Sequence, residues 1–322
     1  MSVRLLDPNL LPPTLWDSSS GTLILPPALA RAYQTVIDRH GLRELAESRD
    51  QKDPPYGGPE KERTDKHLAQ AFVSSVARTQ LALLDPNNDL PLVSNSFISC
   101  LAGNSVNLTD APCGAGAAVF SFLANIAELR SQNVLPREPL DVVLVGAELS
   151  GSARAYAEEI LLQLRPSLEA QAIFVNSEFR EWDVTNSLSN TDLIQRVTIT
   201  SSKCSKRLLI VANFNGYLEK ERKRKDSVHQ IEELFRHASG KNSMAIWIEP
   251  NMNRATSIGG TFSWLRALLG EKWRQFARES FGGDDPKPIS TSSAHFRLPL
   301  NPNTSARRVH LAVMSVDLGR AK

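Results

Sequence analysis

The residues whose types and spacing come closest to chemistry are Asp110-Ala111-Pro112-Cys113-Gly114-Ala115-Gly116, followed by the small, apolar Ala117-Ala118-Val119-Phe120. They read as a strand end, a Gly-rich turn and a helix start. The glycines let backbone approach a ligand closely, and the helix start offers unpaired N–H groups. An acid four residues before the first glycine argues against a diphosphate, because a carboxylate beside a phosphate is repulsive. It suits a positively charged ligand rich in amino and hydroxyl donors. The competing dinucleotide fingerprint, Gly-x-Gly-x-x-Gly, is incomplete, since Val119 stands at its third glycine.

This pattern resembles the first motif of class I S-adenosylmethionine-dependent methyltransferases: an acid, two variable residues, a small residue or Cys, then Gly-x-Gly. The resemblance spans roughly Asp110 to Gly319. It implies a donor site for S-adenosylmethionine built on Asp110, Ala111, Pro112, Cys113, Gly114 and Gly116. Glu148, at the end of the next strand, would accept hydrogen bonds from both ribose hydroxyls, with Leu149 beside it. Asp183 and Val184 would meet the adenine amino group and ring face. Cys113, inside the turn, reads as a packing residue rather than a nucleophile.

The elements that must position these residues are legible in the apolar runs. Asp141 to Val145 is a continuous β-rich run, as expected of a strand buried on both faces of a parallel sheet. Further strands are expected at Ala172–Val175, Arg207–Ala212 and Met244–Ile248, with a closing pair at His295–Leu300 and Val309–Val316 turning across Asn301-Pro302-Asn303. Helices are expected at Phe120–Arg130, at Ala153–Leu164 with Pro166 as the stop, and around Phe262–Phe276. Alternating strands and helices predict a doubly wound α/β fold with a mostly parallel sheet. The resemblance makes it seven-stranded with a terminal antiparallel strand.

Ligands of such sheets bind beyond the carboxyl ends of the strands. Asn213, at the tip of the fourth strand, is therefore placed beside the methyl donor. Asn213, Tyr217 and Glu249 are the candidates to line the acceptor site, and no residue announces a general base. Base-amino methyltransferases of nucleic acids often carry Asn or Asp, two prolines and an aromatic here; this chain has no prolines in the tip. The tips Asn213–Leu218 and Glu249-Pro250-Asn251 are loosely similar to mitochondrial ribosome-assembly methyltransferase-like proteins, which also have an N-terminal helical region. The Cys cluster of that group is missing.

Residues 1–107 read as a mainly helical extension and 108–322 as the donor-binding domain. A short strand or extended piece at Thr22–Leu25, a helix at Ala28–His40, a loop at Arg49–Gly58 and a long helix at Lys66–Leu84 are expected. His67 reads as a solvated helix residue, and Trp247, Trp264 and Trp273 as core. The chain has 322 residues, 41% of them hydrophobic, and a net charge of +2. That balance makes no case of its own for nucleic acid. The one strong charge cluster, Lys220 to Lys225, follows the fourth strand tip. Arg222, Lys223, Arg224 and Lys225 either contact RNA phosphates or form a solvated helix start. Three scattered cysteines, Cys100, Cys113 and Cys204, have no metal spacing and suggest a reducing cytoplasm. No secretory signal or membrane-length apolar run is present.

The expected activity is methyl transfer from S-adenosylmethionine, with a leaning to an RNA or ribonucleoprotein acceptor over a small molecule or protein side chain. A non-catalytic S-adenosylmethionine-binding protein and an NAD-dependent oxidoreductase are the alternatives.

Overall fold

The computed structural model describes residues 4–48, 55–250, 290–301 and 304–319. The N-terminal part opens with a hairpin of two short strands, β1 (Trp16–Asp17) and β2 (Thr22–Leu23). Asp17 tightens its turn by accepting from Ser19 and Ser20. Four helices follow: α1 (Pro27–Arg39), α2 (Arg43–Glu47), α3 (Lys61–Leu84) and α4 (Pro91–Ser99). Asp85 ends α3 in the left-handed region, at φ 44°. Its buried carboxylate then accepts the N–H groups of Asp89 and Leu90 (2.8 and 2.9 Å), which sets the entry to α4.

From Ser105 the chain alternates. The strands are β3 (Ser105–Asp110), β4 (Leu140–Ala147), β5 (Ile173–Arg180), β6 (Lys206–Ala212) and β7 (Ser243–Pro250). Between them lie α5 (Ala117–Ser131), α6 (Gly151–Glu169), α7 (Ser187–Ser201), α8 (Asn215–Lys220) and α9 (Arg224–Ala238). Strands β8 (Ser290–Phe296) and β9 (Arg307–Asp317) follow. The sheet order is β1-β2-β8-β9-β7-β6-β3-β4-β5. Strands β3 to β7 are mutually parallel, and β9 enters antiparallel to both β7 and β8.

The chain therefore lays down β3, β4 and β5 outward in one direction, then returns to add β6 and β7 on the other side of β3. That reversal opens a crevice at the tips of β3 and β6. Both faces of the sheet are covered. One face packs Leu108, Val142, Leu144 and Ile246 against the N-terminal helices and α5 in a single core. The other packs Val145, Leu209, Val211 and Trp247 against residues of α7 and α9.

The expected sheet of seven strands needs correction: the described residues form nine. The hairpin adds the other two. Its register places Thr22 and Leu23 against His295 and Phe296 of β8, in parallel. Leu23 is fully buried there, so the short apolar piece satisfies its backbone on a neighbouring strand rather than in a loop. Helix α6 also outlasts its expected stop, running through Pro166 to Glu169. The carbonyl that loses its donor belongs to Leu162, on a side of the helix open to water, where Leu162 is 62% exposed. Strand β5 is longer than expected, and α3 begins earlier, at Lys61. The expected helix at Phe262–Phe276, with Trp264 and Trp273, lies outside the described residues, as do Pro302 and Asn303 of the expected turn. Trp247 is core, as expected.

Candidate functional site

An open pocket of about 990 Å³ lies at the reversal point. Pro112, Cys113, Gly114, Glu148, Leu149, Asp183, Val184, Asn213 and Tyr217 of the expected site line it. Asp110, Ala111, Gly116 and Glu249 stand behind the wall.

The Gly-rich turn is built from the backbone outward. Ala111 N–H donates to the Ile210 carbonyl at 3.0 Å, and Cys113 N–H to that of Ala147 at 2.9 Å, so the turn is pinned to both neighbouring strands. Gly116 sits at φ +81°, and a Cβ there would come within 2.1 Å of the Phe120 ring. Gly116→Ala combines left-handed backbone strain with overpacking against a buried ring. Its expected cost is about 2 kcal/mol or more, checked by the denaturation midpoint. Gly114 also has positive φ, +52°, but an added Cβ would meet nothing within 4 Å. Cys113 packs its Sγ 3.1 Å from where a Cβ on Gly146 would be while it lines the pocket, and burial raises its thiol pKa well above the ordinary value.

Glu148 ties the turn to the next strand. One carboxylate oxygen accepts Gly114 N–H at 3.0 Å, and the other accepts Ser150 N–H at 2.9 Å. Burial raises its pKa; those two backbone donors and Arg154 act in the opposite direction. Each oxygen has a further lone pair, so two ligand hydroxyls still find acceptors. Asp183 spends Oδ1 on the Thr185 N–H and hydroxyl, at 2.9 and 2.7 Å. Among described residues nothing donates to its Oδ2. No Lys or Arg is among the described lining residues.

Asp110 is fully buried beneath the turn. Its Oδ2 accepts Val119 N–H at 3.4 Å, and Oδ1 has no partner among described residues. Burial pushes its pKa up to about 8, and Glu148 adds to the rise. Asn213 lies at the β6 tip with φ 56° and a buried, unpartnered Oδ1. Glu249 turns away from the pocket. Its Oε1 accepts three N–H groups, from Phe214 (3.1 Å), Asn215 (2.9 Å) and the Trp247 indole (2.7 Å), and so holds the β6 tip in place. The aromatic rings of Trp182, Phe214 and Tyr217 form a row along one wall, with centroids 5.9 and 6.2 Å apart.

The opposite wall comes from the first hundred residues. Gly57, Gly58, Pro59, Thr64, His67, Phe72 and Ser75 all line the pocket. Thr64 is joined to Ser150 through their hydroxyls at 2.8 Å. Two contacts fasten this wall to α8 and its end: Arg63 to Glu221 at 2.8 Å, and Lys220 over the Tyr56 ring at 4.2 Å. The expectation of a solvated His67 is overturned. The residue lies inside the pocket, and burial, with Arg78 adding to the effect, lowers its pKa to about 4.

The basic run is divided. Lys223 donates to the Tyr217 hydroxyl at 3.2 Å, and Arg224 to Asn215 Oδ1 at 2.9 Å. Arg222 and Lys225 are exposed. Among the described residues no group of His, Cys, Asp and Glu could hold a metal, and no helix is long and apolar enough to cross a membrane.

No protein-family model matches the chain, and no curated protein matches it. Solved structures match the chain at low similarity. One, described as a class I S-adenosylmethionine-dependent methyltransferase from Listeria monocytogenes, is 14% identical with a TM-score of 0.36; the match covers 91% of this chain and 87% of that one. Precorrin-6y C5,15-methyltransferase from Geobacter metallireducens is 5% identical with a TM-score of 0.30, over 70% and 86% of the two chains. A structure from the conversion of a disulfide bond into a thioacetal group during echinomycin biosynthesis is 14% identical with a TM-score of 0.35, over 69% and 78%. With TM-scores this low the likenesses carry no argument about activity, which falls to the pocket itself.

Proposed function

We propose that this chain transfers a methyl group from S-adenosylmethionine to an acceptor. The observation that carries the reading is Glu148. Its carboxylate takes the N–H of Gly114, the donor that a phosphate cradle would turn toward its ligand. A pyrophosphate would meet that carboxylate, with no Lys or Arg on the described wall to offset the repulsion. A cationic ligand with ribose hydroxyls fits the same groups. Glu148 keeps lone pairs for the hydroxyls, and Asp183 and Val184 line the pocket as the adenine site requires. When bound, the donor supplies an electrophilic methyl group. The chain's part is largely to hold that group and the acceptor in line and to exclude water.

The expected result is that S-adenosylhomocysteine raises the melting temperature through mass-action linkage and NAD does not. A shift with NAD alone would overturn the donor assignment in favour of an oxidoreductase. Donor binding with no transfer to any acceptor pool would favour a non-catalytic binding protein. An RNA acceptor would have to be held by the basic run that follows the fourth strand tip. Against it, Lys223 and Arg224 already serve partners within the chain. Two phosphate contacts, from Arg222 and Lys225, would give a salt slope of only about −1.4 on a single strand.

A further inference from the structure

Helix α3 crosses the pocket with a polar stripe. Thr64, His67, Ser75 and Arg78 fall on one helical face by their spacing. The first three line the pocket. Thr64 is held by its bonds to Gly58 and Ser150. His67 is different: no described residue hydrogen-bonds its ring, and neither ring nitrogen is sealed from the pocket. A neutral imidazole always leaves one nitrogen with a free lone pair. Burial and Arg78 keep the ring neutral and also weaken it as a base, so it takes a proton only as the sulfonium charge beside it is discharged. The pocket therefore contains a proton acceptor, supplied by the N-terminal helices, in the same space as Asn213 and Tyr217.

We propose that His67 takes the proton of the methyl acceptor, which makes the acceptor a neutral O–H or N–H compound rather than a carboxylate. This rests on the reading of the pocket as a methyl-donor site. The acceptor's lone pair forms the bond to the methyl carbon while the carbon–sulfur bond breaks, its electron pair staying on sulfur. The acceptor's proton passes to the free ring nitrogen of His67 and then to water at the pocket mouth. Positive charge is conserved, moving from sulfonium to imidazolium to solvent. A carboxylate acceptor brings no proton, and it would face Glu148 and Asp183; Arg78, on the same stripe, is not among the described lining residues.

The test compares two donor analogues by calorimetry. S-adenosylhomocysteine has nothing where the methyl stood, whereas sinefungin carries an amine there. His67 should accept a hydrogen bond from that amine, so the parent should prefer sinefungin. His67→Phe should reduce the preference on the order of tenfold or more, the scale of a bond to a charged group. His67→Gln, whose amide oxygen still accepts, should keep part of it. S-adenosylhomocysteine affinity should stay within about threefold in both variants, since a contact absent from a ligand cannot be lost. In the unaltered protein, the nitrogen resonances of the His67 ring should move with sinefungin and stay in place with S-adenosylhomocysteine. An unchanged preference in folded His67→Phe, or unmoved ring resonances, would overturn the role of His67 and leave the donor site standing. Failure of the parent to bind either analogue would overturn the donor reading and this proposal with it.

Discussion

Glu148→Ala is expected to bind S-adenosylhomocysteine more weakly by about 1.5–3 kcal/mol for each ribose bond lost. Two lost bonds would carry a micromolar site to somewhere between about 0.1 and 25 mM. The substitution also releases Gly114 N–H and Ser150 N–H, which the carboxylate holds at 3.0 and 2.9 Å. Some loss of stability should accompany the loss of affinity. Glu148→Gln separates the two. It keeps the volume and one acceptor oxygen, but it turns an amide NH2 toward one of those N–H donors. Calorimetry on both variants, with circular dichroism as the folding control, checks the prediction. Donor affinity unchanged in a folded Glu148→Ala would remove the ribose from this strand tip.

The second large effect is a pH dependence set by Asp110. Burial, reinforced by Glu148, raises its pKa to about 8 in the folded chain, against an ordinary value of 3.8. The sign follows from proton counting. Between pH 4 and 8 the folded state holds a proton that the unfolded state has released. Stability therefore falls as pH rises through that window, by up to about 1.4 kcal/mol per pH unit, and levels off above the folded pKa. Asp110→Asn should flatten this slope while leaving the Val119 N–H with an acceptor. Urea denaturation at pH 5, 6, 7 and 8 measures it, and a slope identical in the variant would assign the dependence to another group. A cationic donor in the adjoining pocket favours the ionised carboxylate. Donor binding near pH 7 should then release a proton, detectable as a dependence of the calorimetric heat on buffer ionisation enthalpy.

The wall of the pocket that the strand tips build was readable in the sequence because it is local. A parallel strand ends, a tight turn follows, and the next strand tip lies one register away. Glu148, Asp183 and Asn213 therefore reach one crevice simply by closing their strands. The opposite wall was not readable. Nothing near Asp65-Lys66-His67 states that this face of α3 will meet strand tips reached far later in the chain. The cue available was the recurrence of polar residues at helical spacing within an apolar helix, at positions 64, 67, 75 and 78. Glu249 shows the reverse error. An acid at a strand tip looks available for chemistry, but whether it faces the pocket or turns back to cap a neighbouring tip depends on Trp247 and the β6 turn, which pattern does not encode. Of the edge hairpin only the piece at Thr22–Leu25 was legible, and its pairing was not. Two-residue strands carry no periodicity, and β2 takes its register from His295 and Phe296, far along the chain.

The order of the sheet also bears on where one copy of this chain could pair with another. Among the described residues, the two outermost strands are unequal. Strand β1 is two residues long, and Asp17 closes the turn beside it, so it offers little backbone for another chain to pair with. Strand β5 is eight residues long and carries Phe174, 48% exposed, near its start. Long open edges invite strand-to-strand association unless charge interrupts them. Here Glu178 and Arg180 lie on the strand itself, joined at their outer side by Arg196 and Asp192 from α7. That cluster guards the second half of β5 and leaves the stretch around Phe174 as the segment on which self-association would begin if the charges were removed.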